Sequence, residues 1–161
     1  MKSRINTFTV LVSSILAVLL MTIPGLAEKK DMKGWEVDSP YNKLYQASEL
    51  DRIKCTVKKV DEVVPMDGMS PAVALIVDEG DGEDIMVHVG PKWFLGDSIG
   101  IKRGEKLKIR GAWAEIDGKD IFMAAKIKKG DYFALKVRLT KNGKPFWVMD
   151  PDELAKERAA Q

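Results

Sequence analysis

Apolar and polar residues alternate one by one through most of the chain beyond Arg52, and this period of two constrains the fold more than any other feature. In the first such segment the apolar series is Ile53, Cys55 and Val57. Successive strand residues point to opposite faces, so the pattern predicts a strand with one buried face. Lys59 interrupts the series before Val60, which indicates a bulge and a bent strand.

Four more alternating segments follow, at 73–77, 85–89, 106–113 and 121–127. Turns rich in Asp and Gly join the second strand to the third and the fourth to the fifth, as in β-hairpins. The longest connection, Pro91 to Gly104, lies between the third and fourth strands. A long, bulged first strand followed by this interruption is the strand order of the OB-fold barrel. We therefore predict an all-β fold, a five-stranded OB-fold-like barrel.

The segment after the fifth strand carries another hairpin signal. Apolar residues alternate over 133–139, and the Asn142-Gly143 pair then favours a tight turn into residues 144–149. This pattern predicts an added C-terminal β-hairpin, which completes an OB-fold-like domain over 51–149.

The last residues read as a short terminal helix. Asp150 is an acidic cap, Pro151 occupies the first helical position and Glu153 the third. These residue types favour a helix start, so a helix is predicted within 150–161, ending near Ala160.

The first 27 residues contain Lys2 and Arg4 but no Asp or Glu. An uncharged apolar stretch, a Pro24-Gly25 break and small residues before Glu28 predict that segment 1–27 is a secretory signal peptide. The expected location is therefore the periplasm. The alternative is an uncleaved anchor in the inner membrane through residues 5–27, a run just long enough to span a bilayer.

Residues 28–50 are predicted to form a tether followed by a short helix. The stretch 28–38 is charged and has no periodicity, so we expect it to be flexible. Ser39-Pro40 is a helix start, and Tyr41 is spaced to share one helix face with Leu44 and Tyr45.

Charge excludes one class of partner. Removal of the leader leaves 134 residues with 24 basic and 24 acidic side chains, so the exported chain is neutral although the whole chain carries +2. Binding to generic nucleic acid is therefore not expected. The outward faces of strands four and five are nonetheless basic, which we interpret as a solvated face. These residues are Lys106, Lys108, Arg110, Lys126, Lys128 and Lys129. A nucleic-acid groove would also need exposed aromatic residues among them.

The octapeptide Val-His-Val-Gly-Pro-Lys-Trp-Phe at 87–94 resembles the VHLGPxWY signature of a small exported OB-fold-like family that includes the MamS/MamX-type domain of magnetosome proteins. The Asn-Gly-Lys-Pro-Phe-Trp run at 142–147 follows the same family, and the resemblance covers about 41–149. It implies the barrel fold, a poorly defined ligand and no catalytic residue. Some magnetosome relatives carry c-type haem motifs in separate segments, whereas this chain has no CxxCH. Cys55 stands where a family glycine is expected.

His88 is the only histidine of the chain. Its place in the alternation, opposite Val87 and Val89, predicts that it faces outward or lies under the 91–104 connection. There the ring either bonds to the backbone of that connection or faces a ligand such as a metal or haem iron. One His and one Cys on different strands do not supply a zinc site, so no metal site and no cofactor are predicted.

Trp93 and Phe94 follow Pro91 in the connection that must cover one end of the barrel. Aromatic residues in such a place are expected to plug the core, and the alternative is a stacking platform. His88, Pro91, Trp93 and Phe94 are the candidate binding residues.

Cys55 is the only cysteine, and the alternation predicts a buried core residue. The alternatives are an intermolecular disulfide or a reactive thiol. No Ser or Cys has a base at a recognisable spacing, so we predict that the protein is not an enzyme. The acidic residues around 78–84 are interpreted as a solvated hairpin, with a calcium site as the alternative.

Together these patterns predict a noncatalytic periplasmic binding or accessory module, and the family resemblance implies an association with redox or iron-handling proteins. The expected partner is an unidentified protein or small ligand in the periplasm, with membrane contact only if the leader is retained. Two alternatives stay open: an exported oligonucleotide-binding protein, and a metal or haem accessory factor that uses His88.

Overall fold

The computed structural model describes residues 32–160, so the predicted leader lies outside the described part of the chain. The strands are β1 (Leu50–Val63), β2 (Ala72–Asp78), β3 (Ile85–Pro91), β4 (Lys106–Ile116), β5 (Lys119–Lys129) and β6 (Phe133–Lys136). The helices are α1 (Pro40–Lys43), α2 (Lys92–Leu95) and α3 (Pro151–Ala159), with 3₁₀ turns at Ala47–Glu49 and Phe146–Val148. No helix within 32–160 has the length and apolar character needed to cross a membrane.

Five of the strands close into a ring. The sheet order is β3-β2-β1-β4-β5-β6, and β3 also pairs with β5 in parallel through Val87↔Phe122 and His88↔Met123. β1 is long enough to pair with both β2 and β4, and Thr56 takes part in both pairings. The register of β1 shifts between Val57 and Lys59, where the alternation predicts a bulge. The predicted OB-fold-like barrel is confirmed.

The barrel interior is filled by the inward residues of the alternating series. Val57, Leu75, Val87, Ile109 and Ile127 are all essentially inaccessible to solvent. β4 and β5 approach most closely at Gly111, where an added Cβ would lie 2.2 Å from the carbonyl oxygen of Met123. A register shift between Arg110 and Gly111 accompanies this contact and bends the sheet toward closure.

The predicted turns and helix starts also form. Asp117 and Gly118 have φ angles of 52° and 72°, which is the left-handed geometry of a two-residue hairpin turn. The Ser39 hydroxyl accepts a hydrogen bond from the Asn42 amide, and the Asp150 carboxylate accepts one from the Glu153 amide. Both side chains satisfy amide groups that the first helical turn leaves unpaired.

The C-terminal hairpin is shorter than its sequence pattern predicts. β6 pairs with β5, but the arms around Asn142-Gly143 share only one bridge, Arg138↔Pro145, within the described residues. The returning arm then becomes a 3₁₀ turn at Phe146–Val148 instead of a strand. Pro145 has no amide hydrogen for a ladder, and the 3₁₀ turn lets two consecutive side chains, Phe146 and Trp147, both be buried.

The expected flexible tether is wrong for its described part. Trp35 lies within it and is 0% exposed. Its indole packs edge-on against Tyr41 and Trp147, with ring centroids 4.9 and 5.3 Å away, and its Nε1 donates to the Ser70 carbonyl at 3.0 Å. Burial of so large a side chain is worth about 2–3 kcal/mol, which outweighs the local charge pattern. Residues 32–45 and 137–148 thus form an outer cover against the barrel, and the packed domain begins before residue 51.

Candidate functional site

His88 lies on the outward side of β3, as the alternation predicts, but it is not exposed. It pairs with Ala74 on β2 and with Met123 on β5, and all three are buried. His88 is 6% exposed because Tyr41 of the outer cover stacks on it, with the ring centroids 5.9 Å apart. The Tyr41 hydroxyl lies 3.1 Å from Nδ1 of His88. The expected bond to the backbone of the 91–104 connection is therefore replaced by a bond to Tyr41.

Burial lowers the pKa of His88 to about 4, so the ring is neutral at physiological pH. No group of three or more His, Cys, Asp or Glu side chains within 32–160 is arranged to hold a metal ion. His88 therefore lies in the packing between the barrel and the outer cover.

Arg138 is the second buried polar residue of this region and is 3% exposed. Its guanidinium donates to Oδ1 of Asn42 at 2.7 Å and to the Gly143 carbonyl at 3.3 Å. It also lies over the ring of Trp147, 4.8 Å from the centroid. Burial lowers the pKa of Arg138 to about 10, yet the group stays cationic at neutral pH. The arginine thus joins both segments of the outer cover.

The candidate residues Pro91, Trp93 and Phe94 form a corner where β3 ends and α2 begins, hereafter the Trp93 corner. Trp93 is 41% exposed, so the expectation that it plugs the core is wrong. Phe94 instead packs against the core and against Trp147, with ring centroids 6.1 Å apart. Consecutive residues of a helix point in different directions, and here Phe94 turns inward while Trp93 turns outward.

Two shallow cavities flank the Trp93 corner. The first, of about 450 Å³, is lined by Ser70, Pro71, Lys92, Trp93, Gly96 and Asp97. The second, of about 370 Å³, is lined by Phe94, Leu95, Ala134, Leu135, Lys136 and Arg158. Ser70 adds a polar feature, because its hydroxyl oxygen is buried and has no hydrogen-bond partner among residues 32–160. Buried hydroxyls are normally bonded, so this unpaired oxygen marks an imperfectly packed place next to the cavity.

Carboxylates of the acidic turn between β2 and β3 are held by hydrogen bonds within the turn and by ion pairs with a neighbouring lysine. The Asp78 carboxylate accepts hydrogen bonds from the amides of Gly80 and Gly82, at 2.6 and 3.2 Å. These bonds lower the pKa of Asp78, and Lys58 pairs with both Asp78 and Asp84. The turn therefore behaves as the solvated hairpin that the sequence suggests.

Basic residues line the outward face of β1, β4, β5 and β6 in cross-strand register. One row runs Arg52↔Arg110↔Lys126↔Lys136, and the next runs Lys54↔Lys108↔Lys128. Lys106 continues β4 at the end of the face, opposite Thr56. We refer to these eight residues as the basic face.

Comparison with known sequences places the fold and the Trp93 corner in a family. The model of the MamS/MamX magnetosome protein family matches residues 49–134. The chain belongs to this family. The match contains the octapeptide at 87–94, so the resemblance noted in the sequence is confirmed, although it stops before the run at 142–147. No curated protein sequence matches the chain.

Two solved structures are similar to this MamS/MamX family member over part of its length. One is a chain of a replication protein A heterotrimer bound to single-stranded DNA, with 14% identity and a TM-score of 0.39 over 69% of this chain and 66% of that chain. The other is a chain of the S. pombe Stn1–Ten1 complex, with 13% identity and a TM-score of 0.41 over 70% of this chain and 67% of that chain. The chain thus spans about two thirds of the length of either one.

Sequence reasoning found one part of each candidate surface. It selected the Trp93 corner but missed Ser70, which reaches the corner from the loop before β2. It noted the basic residues of β4 and β5 but missed Arg52 and Lys54 on β1 and Lys136 on β6. The pairing of β1 with β4, which no local pattern reports, aligns Arg52 and Lys54 with them, and the pairing of β5 with β6 aligns Lys136. The environment of His88 depends on three residues that lie outside the range matched by the family model: Trp35, Tyr41 and Arg138.

Proposed function

We propose that this MamS/MamX family member is a noncatalytic binding or accessory module that acts in the periplasm after export. Family membership and the closed barrel support a binding or accessory role. The leader at 1–27, with its apolar stretch and Pro24-Gly25 break, supports export. The partner is a protein or small ligand that the Trp93 corner contacts.

One observation carries the proposal: a large aromatic ring is partly exposed beside a cavity at the end of β3. Trp93 lines this cavity together with Ser70 and Pro71. Tryptophan is over-represented among residues that dominate binding energies, because its ring offers a large rigid contact area. The ring would recognise a ligand group with an apolar body.

The chemistry of the side chains supports a noncatalytic role. His88 is buried and neutral, and burial raises the pKa of the Cys55 thiol to about 11. A thiol acts as a nucleophile in its thiolate form, so Cys55 is inert at neutral pH. The burial of His88 under Tyr41 also removes the main support for a metal or haem factor that uses this imidazole.

Association with redox or iron-handling proteins is a further part of the proposal. It is supported by the haem motifs that some magnetosome relatives carry in separate segments. Adjacent genes for cytochromes or iron-handling proteins, together with co-purification of one of their products, would test it.

The experiment compares Trp93→Ala with a matched control, Trp113→Ala. Trp113 is 37% exposed and packs on Phe122, away from α2. Immobilised wild-type protein and both variants are incubated with periplasmic extract, and the retained components are identified. We expect a component that wild type and Trp113→Ala retain and Trp93→Ala loses. Equal retention by all three proteins would contradict a role for the Trp93 corner.

Two further measurements serve as controls for this comparison. Cell fractionation of the full-length protein checks export, since recovery in the cytoplasm would contradict the periplasmic proposal. Thermal unfolding of Trp93→Ala checks that the variant is folded. We expect it to lose less than about 2 kcal/mol, because much of the ring is already in solvent.

A further inference from the structure

The basic face places like charges directly opposite one another across four strands. Neighbouring strands lie about 4.8 Å apart, so each cation of a row faces another cation at short range. Like charges in this position destabilise a sheet. Lys126 shows the effect: burial lowers its pKa, and its neighbours Lys128, Lys136 and Arg110 lower it further. The arrangement works against folding.

Carboxylates do not neutralise this face. Among the described residues, the Lys–carboxylate ion pairs involve Lys58, Lys59, Lys92, Lys129 and Lys144, all outside the basic face. Lys136 is the one member with a structural role, since its Nζ donates to the Glu157 and Ala160 carbonyls at the end of α3. No other side chain of the basic face makes an ion pair with a carboxylate within residues 32–160, although the Lys54 amide donates to Glu79 at 3.3 Å.

The face is also concave. A groove of about 460 Å³ crosses it near the ends of β2 and β5, with Lys54, Lys106, Lys108 and Lys128 along its walls. Three carboxylates, those of Asp78, Glu79 and Asp131, stand at the same groove. The surface is therefore a cationic channel with an acidic border.

We propose that the basic face binds a carboxylate-rich segment of a partner protein, seated in this groove. This goes beyond the function proposed for the Trp93 corner, because it assigns a second surface and the chemistry of its partner. Lysine ammonium groups on flexible stems pair with carboxylates that follow the groove. The acidic border then accepts basic residues that flank the partner's acidic segment, so the complementarity extends to both signs of charge.

The same features disfavour the other polyanions. A nucleic acid is negative along its whole length and would meet Asp78, Glu79 and Asp131 unfavourably. Single-stranded nucleic acids also stack on aromatic residues, and none of the residues that line the groove is aromatic. A membrane surface normally combines basic residues with exposed apolar ones. The large exposed apolar residues of the described chain are Val37, Val60, Val64, Trp93, Trp113 and Tyr132, none of which lines the groove.

The test measures binding of a fluorescein-labelled oligoglutamate peptide by anisotropy at low ionic strength. The variant Lys108→Gln/Lys128→Gln removes two neighbouring charges from the groove. The control Lys141→Gln/Lys156→Gln removes the same net charge from exposed sites in the 139–144 turn and in α3. We expect the groove variant to weaken binding roughly tenfold and the control to change it less than about twofold. Equal weakening in both variants, or no peptide binding by wild type, would overturn the proposal.

Two further measurements complete the test: the melting temperature of the groove variant and the binding of other polyanions. The groove variant is expected to melt at the same temperature as wild type or above it at low salt, because it relieves repulsion, so lost binding does not reflect unfolding. Tighter binding of an oligothymidylate of matched charge, or of vesicles containing phosphatidylglycerol, would overturn the choice of partner. Trp93→Ala is expected to bind the peptide as wild type does, so failure of either proposal leaves the other standing.

Discussion

The Tyr41 hydroxyl lies 3.1 Å from Nδ1 of His88, and the two rings stack with their centroids 5.9 Å apart. Burial raises the pKa of the Tyr41 phenol well above its usual value, while the charge of Arg138 acts in the opposite direction. Tyr41 and His88 are therefore both uncharged at neutral pH, and they share one hydrogen bond between the outer cover and the barrel.

This buried contact predicts that His88 makes the fold sensitive to acid. The native pKa of His88 is lowered to about 4 by burial, whereas an unfolded histidine titrates near 6.5. The unfolded chain therefore binds the extra proton first, and stability falls as the pH drops from about 6.5 to about 4. The loss should reach roughly 3 kcal/mol at the lower end, measured as the free energy of unfolding in urea at a series of pH values.

Carboxylates titrate in part of the same range, so the histidine contribution is isolated with His88→Gln. This variant should be less stable than wild type at pH 7 and should show a shallower decline between pH 6.5 and 5. Tyr41→Phe keeps the stacked ring and the histidine and serves as the matched control, with the decline retained. Parallel pH profiles for wild type and His88→Gln would show that the imidazole is not buried as described.

The Asn42 side chain is expected to matter more for stability than its small size suggests. Its amide donates to the carbonyls of Trp35 and Glu36, at 3.0 and 2.7 Å, while its oxygen accepts from Arg138. Asn42→Ala leaves a buried guanidinium without this acceptor, which should cost about 3 kcal/mol. Arg138→Met removes the buried charge together with its need for hydrogen-bond acceptors, so this variant should lose less stability.

Urea unfolding of both variants measures this order. Gln46→Ala is the control, since Gln46 is exposed and its amide bonds only to the Lys43 carbonyl. It should lie within about 0.5 kcal/mol of wild type. A larger loss for Arg138→Met than for Asn42→Ala would mean that the arginine is held by its ring contacts with Tyr45 and Trp147 more than by Asn42.

The barrel could be predicted from the sequence because its signals are local. Alternation over a few residues identifies each strand, Lys59 marks the bulge, and Asp117-Gly118 supplies its own turn. Each of these signals lies within one element or between two consecutive ones. The order of the elements then leaves few topologies open.

The environment of the candidate site could not be predicted in the same way. Trp35 is a single aromatic residue in an aperiodic charged stretch, and it is fixed by Trp147, whose Nε1 donates to the Trp35 carbonyl from 112 positions away. Trp35 in turn packs against Tyr41, which covers His88 on the outward side of β3. The basic face likewise depends on the register between β1 and β4, which are far apart in sequence.

Gly111 is predicted to be the least replaceable glycine of the barrel. An added Cβ would meet the Met123 carbonyl oxygen at 2.2 Å and the Phe122 ring at 2.8 Å, so the backbones of β4 and β5 would have to separate. Gly111→Ala should therefore lose at least about 3 kcal/mol or fail to fold. Gly104→Ala is the matched control, because its φ of 87° strains an alanine but no atom lies near the added methyl.

Thermal unfolding of the two glycine variants separates the cost of steric overlap at Gly111 from the cost of a left-handed backbone at Gly104. Gly104→Ala should cost only about 1 kcal/mol, the usual price of a left-handed alanine. Similar losses in both variants would contradict the close approach of β4 and β5.

Cys55 is predicted to resist alkylation until the protein unfolds. The thiol faces the barrel interior beside Ile53 and Val57, and burial, followed by the charge of Glu79, raises its pKa to about 11. At pH 8 this leaves roughly 10²-fold less thiolate than an ordinary cysteine has, and the thiolate is the form that reacts. Iodoacetamide labelling followed by mass spectrometry should therefore be slow in buffer and fast in urea. The control is Cys55→Ala/Thr56→Cys, which moves the thiol one residue along β1 to the outward face, between Lys106 and Asp78 of the neighbouring strands, where it is no longer in the barrel interior. This variant should label rapidly while folded, and equally rapid labelling of native Cys55 would show that the barrel end opens to reagent.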